Sequence, residues 1–453
     1  MVARILGSIK AKISSLIDVS IMYSVLYRLW GLSAGLVTLF FLTRYFTPEV
    51  QGYYYIFLSL IALQVVIELG LFTVIINFAS HEWSKLHLDD HGLIVGDKES
   101  LSRLVDLGQG ILRWYSLVVI LFILLAGSVG IFMLPTDDHD IWFWPWCLVV
   151  LFAGLHLLAL PFLSLLEGCG QVAKINKFRL YLGIVSSVFL WLSMFLGLDL
   201  WSMAVSAFMM VALDSYLILY RYRAFFRPVW NSKPTANVDW LREIWPMQWR
   251  LALQSISGYF VLQFITPVVF YFNGAVDAGI VGMTMQLCFA IQTVGHAWMQ
   301  TKLPIFGNLV AKKDFVTLNS VWIKYSTLSV GVVITLGAGL ILCVYLGFRF
   351  EWAVMGRVLD VECFFILVIA QVCSQIIQCQ ASYLRAFRQE FFVLPGFFGG
   401  IFAAIFIWVG VSTFGVSGGI YGYAFSIFIM MCWTSLIFRS KRNVTYGIHA
   451  KNS

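Results

Sequence analysis

Long apolar runs separated by short polar breaks fill the chain, and they predict twelve membrane-spanning helices near residues 21–43, 53–78, 112–134, 142–166, 178–197, 200–222, 247–272, 279–301, 321–347, 362–384, 391–413 and 416–438. Several breaks carry proline. Pro145 and Pro246 stand where a first helical turn tolerates it, whereas Thr47-Pro48 and Lys302-Leu303-Pro304 end the spans before them. Pro161 and Pro267 lie inside spans and are candidate kinks. An even number of crossings returns both termini to one side. The placement of Lys and Arg tests this count: only Arg44, Arg349 and Arg357 fall in alternate loops, against 27 of the 30 on the other side. That bias places both termini in the cytoplasm.

Composition agrees with the pattern. With 60% hydrophobic and 12% charged residues, against about 25% charged in an ordinary soluble domain, the chain is excluded as a soluble globule. Its basic excess then matters by position and calls for no nucleic acid. The eight cysteines fall mostly in apolar runs without CxxC or Cys/His spacing and read as small core residues. No cleavable leader is expected, because the first apolar run is long enough to remain in the membrane. The outer loops are short, which leaves no room for an external catalytic domain. One of them, Asp137-Asp138-His139-Asp140, reads as an acidic loop and not as a metal site. No GxxxxGK[ST], HExxH, GxSxG or EF-hand pattern occurs. The expectation is a non-enzyme without cofactor or metal, driven by an ion gradient or a potential.

The segment 223–246 alone combines Pro, Ser, Asn, Thr and charge in mid-chain, and it divides six spans from six. The expected units are therefore residues 1–222, a linker 223–246, residues 247–438 and a basic tail 439–453. Two span endings support a duplication: Ser164-Leu165-Leu166-Glu167-Gly168-Cys169-Gly170-Gln171 closes span 4, and Ser382-Tyr383-Leu384-Arg385-Ala386-Phe387-Arg388-Gln389 closes span 10. Two parallel repeats of this kind enclose a central cavity.

Polar side chains within spans are costly in lipid, so they mark faces turned to a cavity or a partner. Arg28, Gly31, Gly35 and Thr38 form one helical stripe, and Arg250, Gln254 and Ser257 another. Gln292, His296 and Gln300 form a third, and Gln371, Gln375 and Gln378 a fourth. These stripes imply a hydrogen-bonding interior suited to a hydroxyl-rich ligand, with Gln254, Gln292, His296, Gln371, Gln375 and Gln378 as the candidate sugar ligands. Arg28, Arg113, Arg250 and Lys324 lie near the cytoplasmic ends of their spans. They either snorkel to headgroups or, turned inward, hold phosphate. Glu68 and Asp214 are the carboxylates deep in spans; each either binds H+ or Na+ or pairs with a cation such as Arg28 or Arg250. His156 and His296 read first as core histidines.

The run LTRYFTPEVQGYYYIFLSLIALQVVIELGL (42–71), the segment GDKESLSRLV (96–105) and the two span endings, taken in order, resemble the polysaccharide transporters of the multidrug/oligosaccharidyl-lipid/polysaccharide superfamily. Within that superfamily the resemblance is to the twelve-span O-antigen, Wzx-type flippases. It implies an all-α polytopic membrane protein with twelve transmembrane helices in two pseudo-symmetric six-helix bundles around a central cavity. It also implies transport of polyprenyl-diphosphate-linked oligosaccharide across a bacterial inner membrane, from the cytoplasmic to the outer leaflet. Other polysaccharide-assembly proteins are the candidate partners. Two alternatives stand beside this: a multidrug/cation antiporter of the same fold, which needs an acidic cavity, and an integral-membrane polymerase or ligase, which needs larger outer loops.

Overall fold

In the computed structural model, residues 19–89, 91–135, 139–236, 238–387 and 391–450 are described. Arg4, Lys10, Lys12, Asp137, Asp138, Arg388, Gln389 and Lys451 from the sequence reading lie outside them. Among the described residues nine helices are long and apolar enough to cross a bilayer, or ten with one bent pair included. In chain order the helices are α1 (Val19–Tyr45), α2 (Pro48–Ile61), α3 (Gln64–Glu68), α4 (Leu71–Trp83), α5 (Lys98–Met133), α6 (His139–Leu166), α7 (Val172–Phe195) and α8 (Trp201–Ser215). They continue with α9 (Arg223–Asn231), α10 (Trp245–Leu262), α11 (Ile265–Asn273), α12 (Ala275–Gln300), α13 (Leu303–Ala311), α14 (Phe315–Arg349), α15 (Val361–Arg385) and α16 (Val393–Ala450). The exception to helix is a short antiparallel ribbon, Leu86–Leu88 with Ile94–Gly96.

Caps set several starts. Thr47 accepts a hydrogen bond from the Val50 amide ahead of Pro48, and Asp97 does the same for Ser100 at the start of α5. Asp314 accepts from the Thr317 amide, and those hydrogen bonds hold its carboxyl below the usual carboxylate range.

Two of the nine apolar stretches are more than single crossings. The stretch His139–Phe195 has 57 residues, about 85 Å of helix, against roughly 45 Å for a bilayer with its headgroups. It is interrupted at Cys169 and Gly170, the latter at φ 76°. The second stretch, within α16, turns back at Gly415, whose φ of 65° suits a residue without Cβ. Gly410 then packs on Gly418, and Gly422 on the Phe406 carbonyl, so closely that a Cβ on Gly410 would lie 2.2 Å from the Gly418 oxygen.

Other breaks depart from the sequence expectation. The second span is not one run: it stops at Ile61 and breaks again at Leu69 (φ 56°) and Gly70 (φ 66°), beside the buried Glu68. Left-handed backbone at a leucine is a strained conformation. In the seventh span the bend is 42°, between α10 and α11. It falls one turn ahead of Pro267, whose ring is crowded against the carbonyl of Gln263 four residues back. Pro161, by contrast, is carried inside α6, and the interruption comes later at Cys169–Gly170.

The chain forms two compact units. Unit one comprises the described parts of Met1–Phe46 with Leu63–Ala252, and unit two Thr47–Ala62 with the described parts of Leu253–Ser453. In unit one the side chains of Tyr115, Phe122, Trp142, Trp146 and Phe226 are fully buried. The segment expected as a linker is pinned within this unit onto the first turns of α5. Ser102 Oγ accepts the amides of Thr235 and Ala236 at 2.7 and 2.8 Å, and Asp106 accepts the Val238 amide. Gln109 donates to the carbonyls of Val229 and Ser232, and Arg103 pairs with both Glu82 and Glu243.

Unit two is organised by α2 against α12. Gln51, buried, donates to the Gly279 carbonyl at 3.1 Å, and the Tyr55 hydroxyl meets Gln286 at 2.7 Å. The backbones touch: a Cβ on Gly52 would lie 1.9 Å from the Ala275 carbonyl oxygen, and one on Gly282 would strike the Tyr55 ring. Gly52→Val is therefore expected to destabilise the protein by about 3 kcal/mol or more. Thermal melting in detergent checks this, with Gly31→Ala, where nothing lies within 4 Å, melting like the wild type.

Candidate substrate site

The described residues of unit two enclose a cavity of about 360 Å³, near the lower end of the roughly 300–1,000 Å³ usual for small-molecule sites. Four elements build it by helical periodicity. From α10 come Gln254, Ser257, Gly258 and Val261, and from α12 come Gln292 and His296. Helix α15 supplies Ser374, Gln378, Ala381 and Arg385, successive positions on one face. Phe392, Val393 and Gly396 at the head of α16 close the apolar side with Ile427 and Met430.

The glutamines keep polar atoms for a ligand. Gln254 and Gln378 make no side-chain hydrogen bond among the described residues, and Gln292 spends its amide nitrogen on Ser374 Oγ at 2.6 Å, leaving its carbonyl oxygen. A primary amide offers two donors and an acceptor that matches paired hydroxyls. Among the described lining residues no carboxylate occurs, and Arg385 is the one permanent charge.

Four of the six expected sugar ligands, Gln254, Gln292, His296 and Gln378, thus share this cavity. Gln371 and Gln375 do not. They are buried between helices, Gln371 bonded to the Tyr423 hydroxyl at 3.4 Å and Gln375 to Ser329 Oγ at 2.7 Å. The lining face runs through residues 374, 378, 381 and 385; Gln375 is rotated about 100° from Ser374 and about 60° from Gln378, whereas Gln371 shares the stripe but lies about 10 Å along the helix from Gln378. Arg385 is the residue the sequence reading missed. It counted there as a loop charge, although its place one repeat after Ser374 and Gln378 on α15 was visible.

The four expected cations lie elsewhere. Arg28, Arg113, Arg250 and Lys324 are exposed, line no part of this cavity, and form no ion pair among the described residues. Arg250 sits one turn before Gln254 on α10, its guanidinium 5.5 Å from the Trp249 ring centre. The Lys324 ammonium lies over the Tyr325 ring.

Glu68 and Asp214, the carboxylates expected deep in spans, have partners other than Arg28 and Arg250. Tyr115 donates to Glu68 Oε1 at 2.9 Å. Asp214 Oδ2 lies 2.6 Å from His156 Nδ1. These pairings correct the expected Arg28 or Arg250 partnership: both carboxylates are buried, while both guanidiniums are exposed. The second oxygen of Asp214 is buried without a hydrogen-bond partner among the described residues.

The fold and the cavity together define a polytopic helical membrane protein with a polar chamber inside one unit. No family model matches the chain, and no curated protein does. Solved structures do. One is described as the inward-facing conformation of a multidrug resistance MATE family transporter of the MOP superfamily (TM-score 0.68, 13% identity, covering 95% of this chain and 98% of that one). Another is from Pyrococcus furiosus (0.55, 14% identity, 94% and 96% covered) and is described as a MOP superfamily transporter whose reversed binding-pocket polarity suggests a different function. A third is an outward-facing MATE conformation (0.51, 12% identity, 94% and 95% covered). The chain has the fold of these transporters.

Proposed function

We propose that the protein is a flippase that carries polyprenyl-diphosphate-linked oligosaccharide from the cytoplasmic to the outer leaflet by alternating access, with twelve spans and both termini in the cytoplasm of a bacterial cell. The observation that carries this reading is the unit-two cavity: three glutamines, a histidine and an arginine without a carboxylate among the described lining residues. Such a lining suits hydroxyls and a negative group, and it disfavours an organic cation, which requires a counter-charge when desolvated. At about 360 Å³ the cavity takes part of an oligosaccharide while the lipid tail stays in the bilayer. The diphosphate is assigned to Arg28 and Arg250, which form no ion pair among the described residues, since guanidinium binds phosphate oxygens in pairs.

With the cytoplasm negative, outward movement of the anionic head is favoured by about 2.3 kcal/mol per charge for each 100 mV it crosses. The empty carrier must then return. The Asp214–His156 pair, in which the carboxylate is buried and has one oxygen without a hydrogen-bond partner among the described residues, is the site assigned to the H+ or Na+ that drives that return. A multidrug antiporter shares the fold, and the buried carboxylates of unit one favour it to that extent. The lining of the cavity favours the glycolipid.

The deciding experiment reconstitutes the purified protein with lipid-linked oligosaccharide and a leaflet-sensitive probe, comparing wild type with Gln292→Ala/Gln378→Ala. Flipping by the wild type and a roughly tenfold or greater loss in the variant is expected. Absence of flipping, with export of a cationic dye instead, would transfer the assignment to the antiporter.

A further inference from the structure

We propose that Lys302, Lys324 and Tyr325 form a binding site for the phosphate headgroup of an anionic glycerophospholipid of the inner leaflet. The Lys302 ammonium lies 4.5 Å and that of Lys324 5.8 Å from the centre of the same Tyr325 ring. The two like charges are therefore held at most about 10 Å apart, within roughly one Debye length at physiological salt. Neither has a carboxylate partner among the described residues. The two lysines come from different elements, one preceding α13 and one on α14. The chain thus brings them together through its fold, and the ring face holds both by cation–π attraction.

The depth of the site selects a lipid. Helix α14 has 35 residues, about 52 Å, well beyond the roughly 30 Å hydrocarbon core. From Lys324 to the far end at Arg349 is about 37 Å of helix, so Lys324 lies at the edge of that core, at headgroup level. Around it the surface is apolar and open: Leu303, Ile305, Ile323 and Leu328 are each 37 to 45% exposed, the surface acyl chains would cover. The same end of unit two carries Lys441 over Phe391 and Arg442 over Trp322, a belt of cations on aromatic rings. On the orientation proposed above this end faces the cytoplasm, where anionic lipid concentrates and basic pockets between helices take its headgroups. The site shares no residue with the cavity of unit two, and its occupancy is independent of what the protein carries.

Native mass spectrometry of the full-length protein in detergent, titrated with phosphatidylglycerol or phosphatidylcholine, tests the site. Wild type is expected to hold phosphatidylglycerol in preference to phosphatidylcholine. Lys302→Gln or Lys324→Gln is expected to weaken that binding about fivefold, and both together about 25-fold. Lys302→Arg/Lys324→Arg keeps it, and millimolar inorganic phosphate does not displace it. Because each single variant is read separately, a double variant that fails to fold does not remove the test. Unchanged affinity in the glutamine variants, or equal binding of the two lipids, would overturn the proposal. Full displacement by inorganic phosphate would likewise do so, by showing a site for a soluble anion.

Discussion

Arg385→Glu is expected to lower the rate of lipid-linked oligosaccharide flipping at least about tenfold in reconstituted vesicles, with melting temperature unchanged. Arg385 is the one permanent charge lining the unit-two cavity, and it stands on the same face of α15 as Gln378. It is also exposed, so its reversal leaves the buried core in place. In a partly desolvated chamber, exchanging attraction for repulsion toward an anionic group costs more than the roughly 1.4 kcal/mol that a tenfold change represents. Arg385→Lys keeps the charge but loses the planar fork, and a smaller loss is expected for it. The same measurement with an organic cation gives the control. If Arg385→Glu flips the glycolipid at the wild-type rate, the cavity is not where the substrate's charged portion sits.

Asp214→Asn is expected to remove the dependence of transport on the H+ or Na+ gradient and to slow turnover about tenfold or more. Asparagine retains the size of the side chain and can still bond His156, so a purely structural role predicts a small effect. What changes is the charge, since an amide takes up no proton and, without the negative charge, holds a cation far more weakly. His156→Gln tests the other side of the 2.6 Å contact and is expected to shift the pH profile without abolishing it. Transport by Asp214→Asn that keeps the wild-type pH and Na⁺ response would confine this pair to a structural role. Replacing Asp214 by alanine is less informative, because it leaves the His156 imidazole without its partner and lowers stability for that reason alone.

Much of this was legible in the order of residues. Apolar runs gave the helices, because the length that crosses lipid is fixed by its thickness. Gly415 falls in the gap that separated the last two runs. Helical spacing found Gln254, Gln292, His296 and Gln378, since polar groups in a span must face something polar. The same spacing misplaced Gln371 and Gln375, because two glutamines can satisfy one another's surroundings by bonding Tyr423 and Ser329 across helices far apart in the chain. Arg385 was hidden for the opposite reason. A basic residue at a helix end is ordinarily a topology signal, and nothing local distinguishes one that also borders a chamber. The pairings of Glu68 and Asp214 join positions 47 and 58 residues apart, beyond any local pattern.

The placement of α2 has a further consequence for covalent connection. Because Thr47–Ala62 belongs to unit two while the residues on both sides of it belong to unit one, the chain passes from one unit to the other three times. A cut through residues 232–239, which lie inside unit one, would sever none of those three passages. The leading fragment would carry α2, a helix of unit two, while the trailing fragment carries its partner α12, so unit two is completed only when both fragments are present.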